Sequence, residues 1–317
     1  MADGLLPLLG KEIRGRSRSW RFPLLLSIYL ALLSGGILTF LWLNRQVSQF
    51  FLQTGLLLYG LFACGLVLLL AFIAAAVAAT AISGERERRT YDLLLVTAAS
   101  PAGIILGKWL SSVVYLLLLV VAALPLLAVV YLFGGVPLVT LGKALLLSLF
   151  AGLGYGAVGL AYSAVLKRSQ AAIIFSLVTV FALIFGTLII AGIVATSQRQ
   201  PGPVPPPPPG KERAWYIYLS PLSALPDILP QNGVPVPIAG ELINISRHLT
   251  AGAAGVYYEE PPSGMPATWP AWVRFTVYQS LLTLISLFIA ALAVNPLPPW
   301  RKRQLLRGTK EPPPKKD

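Results

Sequence analysis

Six long apolar runs, almost free of charge at their centres, constrain this chain more than any other feature. They fall at about 22–43, 55–82, 110–133, 141–166, 171–196 and 273–295. Each reaches or exceeds the roughly 20 residues that a helix rising about 1.5 Å per residue needs to cross some ~30 Å of hydrocarbon. At that depth no water meets the backbone, so a spanning segment must satisfy its own N–H and C=O groups. Unbroken Leu, Ile, Val and Ala runs do this as helices, whereas barrel strands are shorter and alternate. The expected fold is therefore an all-α integral membrane protein with six transmembrane helices. Composition agrees, with 56% hydrophobic residues, 12% charged residues and a mean hydropathy of +0.73 over 317 residues. The second run is long enough to tilt or to project beyond the bilayer. The first is too long for the core of a cleavable signal and is followed by five more, so it reads as a span.

The charges sort by side. Of 25 Lys and Arg residues, 18 lie with the N-terminal segment, the 83–109 loop, the 167–170 turn and the 296–317 tail. The remaining 7 lie on the other side, most of them in one long loop where such counting is weak. This asymmetry predicts a multi-pass plasma-membrane protein with both termini cytoplasmic and residues 197–272 outside. The net charge of +13 fits that topology and attraction to anionic membrane lipid. The basic residues are divided among sites next to spans, which argues against nucleic acid as a partner. Trp20, Trp42, Trp109, Trp272 and Trp300 all fall near expected span ends, where an amphipathic ring prefers the headgroup region.

The outer segment 197–272 opens with a Pro-rich stretch, including Pro205 to Pro209, that is held in extended polyproline II. Trp215 to Leu222 is aromatic and apolar enough to lie on the outer leaflet, and Ile238 to Leu249 could form a short helix. A solvated loop without a role is the other reading of this segment. Its Gly and Pro density argues against a separate catalytic domain.

Several activities need residues that the chain does not place where they are required. No expected span carries an acid, base or His at its middle, which disfavours an ion-coupled carrier. The single Cys64 and single His248 exclude an internal disulfide, a cysteine-cluster metal site and a multi-histidine site. An intramembrane protease site cannot be assembled from these residues, and Gly159 to Ser163 is not a nucleophile elbow. No Gly-x-x-x-x-Gly-Lys-Ser/Thr stretch is present, so nucleotide is not bound through a P-loop. The chain reads as a non-enzyme without a cofactor of its own, and any energy must come from a partner.

Small residues crowd two spans. Gly152, Gly154, Gly156 and Gly159, with Ala151 and Ala157, give the fourth span a small face, and Ala74 to Ala79 do the same for the second. Close helix packing is the ordinary use of such faces; lining a path between subunits is the alternative.

The loop after the second span is the densest in charge. Glu85, Arg86, Glu87, Arg88 and Arg89 follow one another directly and lead through Thr90, Tyr91 and Asp92 to Leu93-Leu94-Leu95. As a helix it would pair Glu85 with Arg88 or Arg89 and Arg88 with Asp92 at i+3 and i+4 spacing. Leu93 to Val96 would then bury against the bundle. Such an element is a stiff charged lever at the membrane surface, with rim charges left for a soluble partner.

With that loop placed, the pattern resembles the transmembrane subunit of type-2 ATP-binding-cassette (ABC) exporters over nearly the full chain. Glu85 to Leu94 resembles that family's Glu-Arg-Glu-x-Gly-Thr-x-Glu/Asp-x-Leu signature. Ser100-Pro101 and Gly107-Lys108 resemble the next part, and Ser220 to Leu225 resembles the outer-face region. The resemblance also implies an N-terminal surface helix, Leu5 to Ile13, and a cytoplasmic coupling helix between spans two and three. Its ATPase-coupling residues would be Glu85, Arg86, Glu87, Arg88, Arg89, Thr90 and Asp92. Arg89 stands where the family often has Gly; inside a helix that exchange costs little. The implied partners are a cytoplasmic ABC ATPase subunit, which would hold ATP and magnesium, a second permease subunit and membrane lipid. A non-transporting polytopic scaffold, or an assembly factor that matures an exported protein, is the reading from a different class. Lipids, glycans, peptides and drugs are all family substrates, and uncharged spans favour an amphipathic one.

Overall fold

A computed structural model describes residues 20–43, 51–89, 101–134, 136–197, 215–228 and 269–294. The expected helix at Leu5 to Ile13, the proline run, Ile238 to Leu249, Trp300 and the 296–317 tail lie outside the described residues. So do Thr90, Asp92 and Leu93 to Val96.

Among the described residues there is no strand, and six helical runs are long and apolar enough to cross a membrane. They are α1 (Arg21–Leu43), α2 (Phe51–Ala79), α4 (Pro101–Leu132), α5 (Leu138–Val165), the pair α6 (Ser169–Phe181) and α7 (Thr187–Ser197), and α9 (Ala271–Ala293). Between α2 and α4 lies the short helix α3 (Ser83–Glu87). A π-helical turn, Ala182–Gly186, joins α6 to α7, and Thr187 Oγ1 donates to Leu183 O at 2.8 Å beside it. Outward faces are large and apolar, among them Leu24, Ile28 and Leu32 on α1 and Leu284, Phe288 and Leu292 on α9. Exposed apolar faces this extensive are the mark of a surface that meets lipid or another protein. The chain is a multi-pass membrane protein.

The third spanning helix starts at Pro101 rather than near 110. Proline costs nothing in a first turn, where its missing N–H would be unpaired in any case. Trp109 therefore sits in the third turn of α4. Its indole N–H donates to Leu153 O of α5 at 3.3 Å.

The core is built around α5, which packs along α2 on one side and α9 on another. The small face explains this. A Cβ on Gly159 would collide with the Ala75 carbonyl of α2, and one on Gly154 would occupy the place of the Gln279 side chain of α9. Gly156 lies against Ala74, and Gly152 against Leu116 of α4. These four glycines are taken up by packing inside the chain, the ordinary use of such a face. Absence of charge at span centres does not mean absence of polarity. Gln279, Thr283 and Ser286 of α9 are buried, and Gln279 Nε2 donates to Ala151 O at 3.3 Å.

At the end of the bundle away from α3, two 3-10 turns, Trp215–Leu219 and Pro221–Ser223, lead into α8 (Leu225–Ile228). This segment was expected on a leaflet surface, but Ile217, Tyr218, Ser220 and Ala224 are buried against the bundle. Its polar groups find partners there. Tyr155 Oη donates to Leu219 O at 2.7 Å, and Arg274 donates to Tyr218 Oη at 3.1 Å while lying 5.3 Å from that ring's centre. Tyr218 and Tyr278 stack at 6.1 Å. Aromatic anchoring of this kind is invisible to a hydropathy reading, which scores Trp-Tyr-Ile-Tyr-Leu only as interfacial.

Candidate functional site

The site is the junction where α2 passes into α3. Up to Ala79 the backbone is regular, then the turn tightens. Thr80 N–H donates to Val77 O at 3.4 Å and Ala81 N–H to Ala78 O at 3.0 Å, both three residues back. The next two N–H groups leave the helix altogether. Ile82 N–H and Ser83 N–H both donate to Ser163 Oγ of α5, at 2.9 and 3.0 Å. Ser163 in turn donates to Ser83 Oγ at 3.3 Å, and Ser83 Oγ donates to Ala79 O at 2.9 Å. A side chain from a neighbouring helix thus performs the work of an N-cap, the satisfaction of orphan donors at a helix start. Both serines are fully buried. Gly84 N–H to Thr80 O at 3.1 Å resumes the helix.

The charged residues of α3 reach two other helices. Lys108 Nζ of α4 donates to Glu85 Oε1 at 2.5 Å. Lys108 is only 5% exposed, and a buried ammonium is tolerable only when so paired. Glu87 Oε1 accepts the backbone N–H of Ser169, the first residue of α6, at 2.7 Å. That bond is the main cause holding the Glu87 carboxyl below its ordinary range. A carboxylate at a helix start also meets the positive end of the helix dipole.

The expected lever helix is shorter and differently wired. It ends at Glu87. Arg88 N–H donates to Gly84 O and Arg89 N–H to Arg86 O, both at 3.1 Å, and Arg89 then turns left-handed with φ +59°. Among the described residues neither Arg88 nor Arg89 pairs with Glu85. The local i+3 and i+4 pairs lose because α4 and α6 offer Glu85 and Glu87 partners that are already fixed. The expected Arg88–Asp92 pair falls partly on Asp92, outside the described residues. The substitution of Arg for Gly at position 89 is not cheap, since left-handed backbone suits Gly far better.

Of the residues expected to couple, Glu85, Arg86 and Glu87 lie on α3. Arg88 and Arg89 follow it, exposed. Thr90 and Asp92 fall outside the described residues. Sequence reading missed Ser163 and Ser169 and gave Lys108 no partner. The only signal for Ser163 was a hydroxyl in the last turn of an apolar helix, a position that asks for a hydrogen-bonding partner without naming it.

The profile described as "ABC-2 family transporter protein" matches residues 6–231, which include α1 to α8 and the whole junction. A search among curated proteins finds no match. The family is one of transmembrane permease subunits that are not themselves catalytic, and this chain, matched over most of its length, belongs to the ABC-2 transporter family.

Proposed function

We propose that the chain is the permease subunit of an ABC exporter, driven by ATP that a separate cytoplasmic ATPase subunit binds with magnesium and hydrolyses. In this reading the protein sits in the plasma membrane with both termini in the cytoplasm. It pairs with a second permease subunit, the same or related, within surrounding lipid. Its α3 end faces the ATPase, and the cargo leaves the cytoplasm or the inner leaflet.

One observation carries the reading. The α3 junction is fastened at three points, to α4 through Lys108, to α5 through Ser163 and to α6 through Ser169, while Arg88 and Arg89 are left exposed at its tip. A solvated loop needs no such fastening. A contact meant to transmit force from a soluble partner into several spans does.

The geometry also redirects the choice of partner-facing charges. Glu85 and Glu87 are engaged within the chain, so Arg88 and Arg89 are the charges free to steer and orient docking. Replacing both, Arg88→Glu with Arg89→Glu, should leave insertion intact and weaken association with a co-expressed ABC ATPase subunit about five- to tenfold, as expected for two exposed charges. Arg45→Glu, which this reading puts on the outer side, is the control. Unchanged ATPase association and unchanged stimulated turnover in the double variant would remove α3 as the docking element.

A further inference from the structure

We propose that Ser163 is the positioning residue of the coupling site, locking α3 to α5 so that α2, α3 and α5 move as one body when α3 is displaced. The inference rests on the coupling reading above and adds to it which spans receive the motion.

Ser163 is hydrogen-bonded to capacity. A serine hydroxyl has one donor and two acceptor positions. Here the donor goes to Ser83 Oγ, and the two acceptors take Ile82 N–H and Ser83 N–H. All three groups are buried, and Ser163 and Ser83 are 0% exposed. Separating α3 from α5 would strand two backbone donors away from water, which makes the joint costly to open. The other two fastenings are wetter. Glu87 is exposed, and Glu85 keeps 24% side-chain exposure, so water can replace part of what either loses.

The joint continues into a surface that cannot slide. Four residues before Ser163 in the chain, one turn back on α5, Gly159 lies directly against the Ala75 carbonyl of α2, with no room for a Cβ. Ala78, Ala81 and Ile82 of the α2–α3 junction share a buried cluster with Leu160, Ala161 and Ala164 of α5. Backbone-to-backbone packing and a saturated hydroxyl thus join the same two helices within one stretch. A push on α3 reaches α5 undiminished, whereas α4 and α6 receive it through a side-chain ion pair and a single cap.

The test uses the full chain in complex with its ATPase. First, amide exchange over residues 80–86 is compared for wild type, Ser163→Ala and Ser163→Thr. Loss of the hydroxyl should speed exchange at Ile82 and Ser83 about tenfold, and threonine, which keeps it, should restore protection. Second, spin labels at Leu106→Cys on α4 and Val165→Cys on α5, in a Cys64→Ser background, report the distance between those helices. Addition of ATP and vanadate should shift that distance in wild type and in Ser163→Thr, and leave it unmoved in Ser163→Ala with the ATPase still bound. Unaltered exchange in Ser163→Ala overturns the joint. Fast exchange with an intact nucleotide response overturns the positioning role alone. No nucleotide response in wild type, with the ATPase bound, overturns the coupling reading and this inference with it.

Discussion

Arg89 holds a left-handed backbone turn, alone among the described non-glycine residues. An L side chain with a Cβ pays about 1 kcal/mol or more for that conformation, and glycine does not. Arg89→Gly should therefore stabilise the chain, raising its thermal midpoint in detergent by roughly 2 °C. Arg89→Val, β-branched at the same φ, should lower it. A fall in both would show that the turn is not left-handed. Two residues earlier, Glu87 makes a pH prediction. Its pKa is lowered from the ordinary 4.5, chiefly by the Ser169 N–H, so the folded chain holds the ionised form more tightly than the unfolded chain does. The stabilisation is complete above the ordinary value and is lost as pH falls through the lowered one. Glu87→Gln keeps an oxygen for the cap but lacks the charge. At neutral pH amides at the start of α6 should exchange faster in Glu87→Gln than in wild type, and the two should converge in acid. A difference that persists below the folded pKa would mean that the charge is not what caps α6.

At the scale of elements the decisive contact is α2 against α5. A methyl added at Gly159 meets the backbone carbonyl of Ala75, which can yield only by moving the whole helix. A methyl at Gly142, near the start of α5, meets nothing within 4 Å. Gly159→Ala should cost about 1–3 kcal/mol of stability in denaturant titration, the usual range for overpacking, and Gly142→Ala much less. Equal costs would indicate that α2 and α5 are not in backbone contact. The same pair shows how far the chain could be read in advance. The spans were legible because hydrocarbon imposes length and apolarity on every one of them, and the glycines were legible as a packing face. Which neighbour each glycine meets was not, because periodicity gives a face and no address. The helical turns of α4 before residue 110 were not legible because Ser100-Pro101 looks like punctuation, yet proline is welcome in a first turn. The site was half legible. Its charge density located α3, but the partners Lys108, Ser163 and Ser169 lie on three other helices, and i+4 arithmetic sees only its own.

For the molecule as a whole, exposed cations gather at the α3 end of the bundle. Near α3, Arg88, Arg89, Lys167 and Arg168 stand exposed. At the far end Lys143 lies over the Trp272 ring at 6.0 Å and Arg274 over the Tyr218 ring, each cation set against an aromatic face. Bare cations next to a span are the mark of the side that is not translocated, and few of them are needed where the chain must cross. The proposed orientation, with α3 on the cytoplasmic side, rests on this Lys and Arg asymmetry. Cysteines introduced as Arg88→Cys and Pro206→Cys, in a Cys64→Ser background, read that orientation directly. A membrane-impermeant thiol reagent applied to intact cells should modify the Pro206→Cys variant and leave Arg88→Cys untouched until the cells are opened. The opposite pattern would place α3 on the outer side, where no ATP is supplied. The exposed arginines could then meet no ATPase, and the docking role of the junction would fall together with the orientation.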